Sequence, residues 1–463
     1  MKITLYGAAG NVTGSAYYVK TRTAGILVDF GVFQGGKAQE ALNRKLPPID
    51  VRNLDAVIVT HAHLDHTGRL PLLARHGFSG PVFATEATID VARLILLDSV
   101  KVQDHELNRM NRKRQRTGQA PLAPIYSEED THKALGLFTP IQYNKKTDIA
   151  PGIRARVREA GHILGSVSIE LTVEEEGREK VILFSGDLGP HDMAILRDPD
   201  PFRSADLVFM ESTYGDHDHR SLEDTLKEGG EIVAKAIEQR GKILVPSFAV
   251  GRTQQLLYYL ARAVHEEKLH PIPVYLDSPM AIDATKIYLE HQELFDTEAV
   301  QLLREGALKR DLSGVHISRT AEDSMALNEV EGPCMIIAGA GMCNAGRILH
   351  HLKHNLWKPE TTVMIVGYQG DGSLGRRLLD GAPKVRIFGE EIAVRAHIAT
   401  LGGLSAHAGQ GDLLKWFDAV AASRPRLVLS HGEDRGRIPL AEIIRSKYGI
   451  DPVLPNFAET ITL

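Results

Sequence analysis

Short apolar runs, each closed by small and polar residues, set the rhythm of the first half of the chain. Runs at 2–6, 15–20 and 25–29 lie between glycine-rich turns and read as short strands, the last ending in Asp29. The run at 54–59 stops at Thr60. The alternating run at 153–159 is followed by Ala160-Gly161-His162, 180–184 by Ser185-Gly186-Asp187, 205–210 by Glu211-Ser212-Thr213, and 427–429 by Ser430-His431-Gly432. Polar residues at the carboxyl ends of buried strands share one rim of a sheet, where α/β folds place their sites. Between the strands, Leu70, Leu72 and Leu73 mark a helix starting near Gly68, and 87–98 is helical. Across 101–116, Lys101, His105, Arg109, Arg112 and Arg116 follow at spacings of four, four, three and four, which is one helical face. That face is either a solvated surface or a contact for a phosphate backbone.

From about 215 to 400 strands alternate with helices, the signature of a mostly parallel sheet. A weak repeat runs through it. The strand at 242–246 leads through Ser247-Phe248-Ala249-Val250-Gly251-Arg252 into a helix. The strand at 334–338 leads through a glycine loop to Gly346-Arg347 and a second helix. The strand at 361–366 leads through Gly367-Tyr368-Gln369-Gly370-Asp371-Gly372 to Gly375-Arg376 and a third. Exposed amides and an arginine at a helix start make an anion site, and glycine lets the backbone come close to the anion. Helix capping beside a surface arginine explains each loop singly; three on one sheet point to a ligand with several phosphates. There is no Gly-Lys-Ser/Thr loop, and NAD and ATP are not expected.

Composition narrows the class. At 463 residues, 43% apolar and 24% charged, the chain suits a globular protein of two domains. No apolar run approaches the roughly 18 residues of a membrane span, and the N-terminus lacks a signal-type core. The expectation is a cytoplasmic protein without membrane contact. With Cys334 and Cys343 the only cysteines, there is neither a disulfide framework nor a four-cysteine zinc module. The net charge of −5 weakly opposes general nucleic-acid binding but leaves local basic surface open.

The candidate chemistry centres on Thr60-His61-Ala62-His63-Leu64-Asp65-His66-Thr67-Gly68, which puts His61, His63, Asp65 and His66 within one turn-sized stretch. Imidazole and carboxylate are the usual zinc ligands of hydrolytic sites. The strand-end residues His162, Asp187, Glu211 and His431 supply the second half, though any one alone could be a satisfied loop residue or a cap. Asp29 is either a turn residue or an outer carboxylate that orients a ligand.

In these motifs the sequence resembles the metallo-β-lactamase fold. Its middle segment resembles the β-CASP insertion of nucleic-acid-processing members, through Pro246 to Arg252, Asp277-Ser278-Pro279-Met280, Gly341-Met342-Cys343 and Gly367-Tyr368-Gln369. It is similar there to the endonuclease subunit of the cleavage and polyadenylation specificity factor and its bacterial and archaeal relatives. The resemblance implies an α/β chain: an αββα sandwich, 1–214 and 400–463, interrupted by a β-CASP α/β domain at 215–399. It implies two zinc ions, one held by His61, His63 and His162, the other by Asp65, His66 and His431, with Asp187 shared. Glu211, His407 in Ser405-Ala406-His407, and His431 match the remaining motifs, and His431 favours the RNA branch. His397 lacks that context and reads as structural. The N-terminal RNA-binding domains of archaeal relatives and the C-terminal extension of ribonuclease J-type relatives are expected to be absent. Single-stranded RNA is the expected partner; a homodimer stays open.

The implied mechanism is hydrolysis of RNA phosphodiester bonds, endonucleolytic or from the 5′ end, leaving 5′-phosphate and 3′-hydroxyl. Zinc brings the pKa of water toward ~7, and Asp65 belongs with the catalytic group. The leaving oxygen needs an acid: His407, oriented by Glu211, which raises its pKa. Ser247, Arg252, Arg376 and Ser405 are the expected RNA-phosphate contacts. Two rivals are a small-molecule hydrolase on the same fold, which leaves the insertion unexplained, and a non-catalytic RNA-processing subunit, which leaves seven intact ligands unexplained. A redox diiron site would carry Glu where His63 stands.

Overall fold

Two sheets lie face to face because their inward positions are almost all β-branched, leucine or aromatic. In the computed structural model, which describes residues 1–266, 271–305, 314–370 and 372–463, contacts group into two units. Met1–His191, Asp198–Asp218 and His407–Leu463 form the first; Asp192–Arg197 and His219–Ala406 form the second. Asp371, part of the third glycine loop, lies outside the described residues.

The first unit has a seven-stranded sheet in the order Thr460–Thr462, Lys2–Leu5, Tyr17–Lys20, Gly25–Val28, Ala56–Ile58, Val82–Ala84, Phe138–Pro140. Its six-stranded partner runs Arg426–Leu429, Leu207–Met210, Arg178–Phe184, Val167–Glu175, Ile153–Glu159, Thr147–Ala150. Ile3, Leu5, Val28 and Ile58 from one sheet share a core with Val157, Ile169, Leu171, Phe184 and Phe209 from the other. Phe184 and Phe209 stack at 4.9 Å, and Tyr17 meets both edge-on. Helices cover the outer faces: Leu70 and Leu73 lie in the core under the first sheet, and Leu413, Trp416, Phe417, Leu440 and Ile444 in the core under the second. Each such fully buried side chain contributes about 1.5–3 kcal/mol. The result is the expected αββα sandwich.

One helix differs from expectation. The two segments at 87–98 and 101–116 are a single helix, Glu86–Arg116, started by Thr85, whose side chain accepts from the Thr88 amide. Nothing between Thr85 and Gly118 breaks a helix, since Ser99 and Val100 only lower propensity slightly.

In the second unit six strands pair only in parallel, in the order Val315–Ile317, Val274–Leu276, Cys334–Ala338, Lys242–Pro246, Thr362–Ile365, His397–Thr400. His397 opens an edge strand and is exposed. The three glycine loops all leave the carboxyl ends of neighbouring central strands, but they are less alike than their sequences. Gly251, at φ +84°, precedes the helix Arg252–His265. Arg347 precedes Ile348–Asn355, and its guanidinium already binds an internal carboxylate, Asp277, at 2.7 Å. Gly375-Arg376 lies inside Leu374–Leu379, which Ser373 caps. The run Gly370 to Gly375 does have the spacing of a dinucleotide fingerprint. Yet Gly375 serves to admit Gln369, because a Cβ there would fall 1.7 Å from Gln369 Oε1.

Candidate active site

His61, His63, Asp65, His66, His162, Asp187 and His431 all converge in the first unit. His61, His63 and Asp65–His66 follow the strand Ala56–Ile58, the last two in the short helix Leu64–Thr67. The turn beneath that helix needs a glycine: a Cβ on Gly31 would lie 1.6 Å from Asp65 O. His162, Asp187 and His431 leave the ends of three strands of the second sheet. Asp29 and His431 hold left-handed backbones at φ 58° and 46°, a strain of about 1–3 kcal/mol for a residue with a Cβ, and such strain is concentrated at sites.

The donors form two sets joined at Asp187. In one, His63 Nδ1 lies 3.2 Å from both His61 Nε2 and His162 Nε2, with Asp187 Oδ2 at 3.6 and 3.7 Å from the latter two. In the other, His66 Nε2 and His431 Nε2 are 3.3 Å apart, with Asp65 Oδ2 at 3.8 and 3.5 Å from them. Asp187 Oδ1 lies 3.4 Å from His66 Nε2 and from His431 Nδ1, is buried, and accepts no hydrogen bond. All ligand atoms of each set fall within 4.8 Å of one another. One ring hydrogen cannot satisfy three converging nitrogens, but a cation can. Nitrogen and oxygen donors about 2.0–2.2 Å from a tetrahedral centre are separated by about 3.3–3.6 Å. The donors therefore fit a small divalent ion at each set.

Electrostatics agree with that fit. Burial pushes His61 well below its ordinary value, and His63 down to about 4, so both present neutral, ligating rings. Burial works to raise Asp187, but His431, His66 and His61 hold it well below the carboxylate range. Burial likewise opposes ionisation of Asp65, which the His431 bond and the His66 charge keep down at about 2. His66 is drawn well above its ordinary value because Asp187 and Asp29 outweigh its burial. Positive charge between those carboxylates is favoured, whether a proton or a metal carries it.

Asp29 stands behind His66. Its Oδ2 accepts from His66 Nδ1 at 2.7 Å and from Thr60 Oγ1 at 2.8 Å, and its Oδ1 from the Thr60 amide at 2.8 Å. His66 is thereby turned with Nε2 toward the cluster. Sequence reasoning missed Thr60; its signal is a hydroxyl residue between a buried strand and the first histidine. It also missed Thr213, whose Oγ1 lies 3.3 Å from His431 Nδ1.

A third group holds Asp187, Glu211 and His407 together. Glu211 is buried, and its Oε1 accepts the Leu188 amide at 2.5 Å. Both its oxygens lie 3.3 Å from His407 Nδ1, while His407 Nε2 lies 3.9 Å from Asp187 Oδ2. Burial lowers His407, but Glu211, then Asp187 and Asp65, overcome it and raise the ring to about 9.

The expected RNA-phosphate residues all fall in the second unit, and they differ in access. Ser247 and Arg252 are buried. The Ser247 hydroxyl lies 2.9 Å from Thr253 Oγ1, and Arg252 Nη1 donates to Gln255 Oε1 at 3.1 Å. Neither is offered at an exposed surface, because the loop folds its own donors inward. Arg376 is half exposed and pairs with Asp380 at 2.8 Å; Ser405 is partly exposed.

Residues 9–88 match the Metallo-beta-lactamase superfamily, 253–378 the Beta-Casp domain, and 391–455 the Zn-dependent metallo-hydrolase RNA specificity domain. The chain is similar, at 39% identity over the full length of both, to Ribonuclease TTHA0252 of Thermus thermophilus. It is 30% identical to Transcription termination factor FttA of Methanosarcina mazei, spanning all of this chain and 72% of that one. A crystal structure of a protein of unknown function from Enterococcus faecalis shares the fold with a TM-score of 0.56 at 15% identity, covering 100% of this chain and 99% of that one. Full-length similarity to a ribonuclease, and three matched domains in the order found here, identify the chain as a member of the β-CASP ribonuclease family of the metallo-β-lactamase superfamily, metal-dependent hydrolases.

Proposed function

We propose that the chain is a zinc-dependent ribonuclease that hydrolyses phosphodiester bonds of single-stranded RNA, endonucleolytically, from the 5′ end, or both, leaving 5′-phosphate and 3′-hydroxyl ends. The observation that carries this reading is the contact of His407 with Glu211 on one side and Asp187 on the other, beside two donor sets that share Asp187. His61, His63, His162 and Asp187 would hold one ion, and Asp65, His66, His431 and Asp187 the second. Zinc bound there supplies Lewis acidity toward a phosphoryl oxygen and acidifies water toward ~7.

The remaining steps belong to side chains. Glu211, fixed by the Leu188 amide, orients His407 and favours its protonated form. His407 Nε2 then gives its proton to the leaving 3′-oxygen, a task that neutral ligands and ionised carboxylates cannot perform. Asp29 and Thr60 keep His66 from rotating. RNA phosphates are assigned to Arg376 and Ser405. The Arg376–Asp380 pair, exposed on both sides, contributes little to stability. Ser247 and Arg252 brace the loop that carries them.

The test is zinc-loaded protein with 5′-labelled and internally labelled RNA. Fragments or mononucleotides with 5′-phosphates support the reading, and 2′,3′-cyclic phosphate ends reject it. Hydrolysis of a chromogenic lactam or thioester at enzymatic rates, with RNA untouched, would favour a small-molecule hydrolase.

A further inference from the structure

Phe248 is 40% exposed, yet its carbonyl is held by three hydrogen bonds. Its carbonyl accepts from Thr253 Oγ1 at 2.7 Å, from the Thr253 amide at 3.3 Å and from Ser247 Oγ at 3.3 Å. The ring rests between two other loops. A Cβ on Gly341 would lie 2.6 Å from ring atom Cδ2, and one on Gly367 would lie 3.5 Å from Cε2. Gln369 ties those loops together, its Nε2 donating to Gly341 O at 2.9 Å and to Gly367 O at 3.2 Å. Beside them, Tyr368, 37% exposed, and Met342 flank Gly370.

The position matters as much as the exposure. The loops leave the carboxyl ends of Lys242–Pro246 and of its two neighbours in the sheet, Cys334–Ala338 and Thr362–Ile365. Open parallel sheets bind ligands at that edge. Isolated exposed apolar side chains are ordinary; an aromatic ring held by three loops at a binding edge is not. Such a ring offers a flat apolar face and no hydrogen-bond donor or acceptor. It suits a planar ligand with its own π-face, irrespective of that ligand's edge.

We propose that Phe248 is a stacking platform for one unpaired base of the RNA substrate, with Tyr368 as its neighbour and Gln369 as the positioning residue that holds both glycine loops under the ring. This rests on RNA being the substrate. Because every base has a π-face, the contact adds affinity for single strands without selecting sequence, and a paired base cannot reach it.

The test is fluorescence anisotropy of the zinc-loaded protein with a labelled single-stranded RNA of about twelve nucleotides, intact or with one abasic nucleotide moved along it. For the wild type, one abasic position weakens binding about ten- to a hundredfold, the range of base–aromatic stacking. Phe248→Ala weakens binding of intact RNA by the same factor, abolishes the abasic penalty and leaves the salt dependence unchanged. Phe248→Tyr restores wild-type behaviour. Unchanged affinity in Phe248→Ala, or an abasic penalty that persists in it, overturns the proposal. So does an RNA-free dimer that dissociates on the same substitution, since the ring would then be covered by a second copy. RNA binding without cleavage would reject the ribonuclease reading and still leave the stacking contact to be read by anisotropy.

Discussion

Glu211 and His407, 196 positions apart in the chain, meet with both carboxylate oxygens 3.3 Å from one ring nitrogen, and the opposite nitrogen faces the shared Asp187. The carboxylate holds the imidazole through Nδ1, and the pair joins Asp187 in a third group whose ligand atoms lie within 4.8 Å of one another. Removing the ring and removing the shared carboxylate should have separable effects. His407→Ala is expected to retain both metal ions and to lose about 10²–10⁴ in kcat, the usual contribution of general acid catalysis. Asp187→Ala is expected to lose metal as well as activity. Metal content of the two purified variants, measured beside single-turnover cleavage, checks this; equal metal loss in both would remove the acid role.

The same pair sets a pH dependence. His407 acts as an acid only while protonated, and its ring is raised to about 9 because Glu211 outweighs burial. Activity is therefore present below that value and falls as pH rises through it. In Glu211→Gln the largest raising influence is gone while burial still lowers the ring. The alkaline limb of the kcat/KM profile should then shift toward acid. An unmoved limb would mean that another group supplies the proton.

Asp29 belongs to neither donor set, yet it fixes His66 by accepting from Nδ1 while being held by Thr60. Asp29→Asn should weaken the Asp65–His66–His431 set by about 10–100-fold in metal affinity, the effect typical of outer-shell partners. Asn tolerates the left-handed backbone at this position, so a backbone penalty does not confuse the result. Competition with a chelator should show one weakened ion and one unchanged.

Much of the site was legible because strand ends advertise it. Asp29, His162, Asp187, Glu211 and His431 each follow an apolar run, and in a sheet such positions share a rim; that made them candidates, and the family resemblance supplied their roles. The strands were legible for a related reason, since alternating runs such as 153–159 reflect how many faces a strand buries, whereas the sandwich that pairs the sheets came from the family resemblance. Direction and burial of side chains were not legible. Arg252 and Ser247 look like an anion loop in sequence, but whether a guanidinium points out or lies against Gln255 depends on packing between elements far apart in the chain. Thr60 was hidden because its partner Asp29 lies on a neighbouring strand.

The second unit contains a buried ionic cluster whose cost of disruption can be read directly. Asp277, fully buried at the end of Val274–Leu276, accepts from Arg347 Nη1 at 2.7 Å, Ser324 Oγ at 2.6 Å and His351 Nε2 at 2.6 Å. Burial works to raise its pKa, but the bonds from His351, Ser324 and Arg347 prevail and hold it below the usual carboxylate range. Replacing it leaves the Arg347 guanidinium without its carboxylate and takes the acceptor from Ser324 and His351, so Asp277→Ala should destabilise by about 3 kcal/mol, the scale of a broken buried pair. Because the folded-state pKa is depressed, the ionised carboxylate's contribution is fully present above the unfolded value of about 3.9. It disappears as pH falls through the lower folded value. Urea melts of wild type and Asp277→Ala at pH 7 should therefore differ by that amount, and the difference should shrink in melts taken below about pH 4. A difference that stayed constant across that range would show that packing around the side chain, rather than its charge, holds the cluster together.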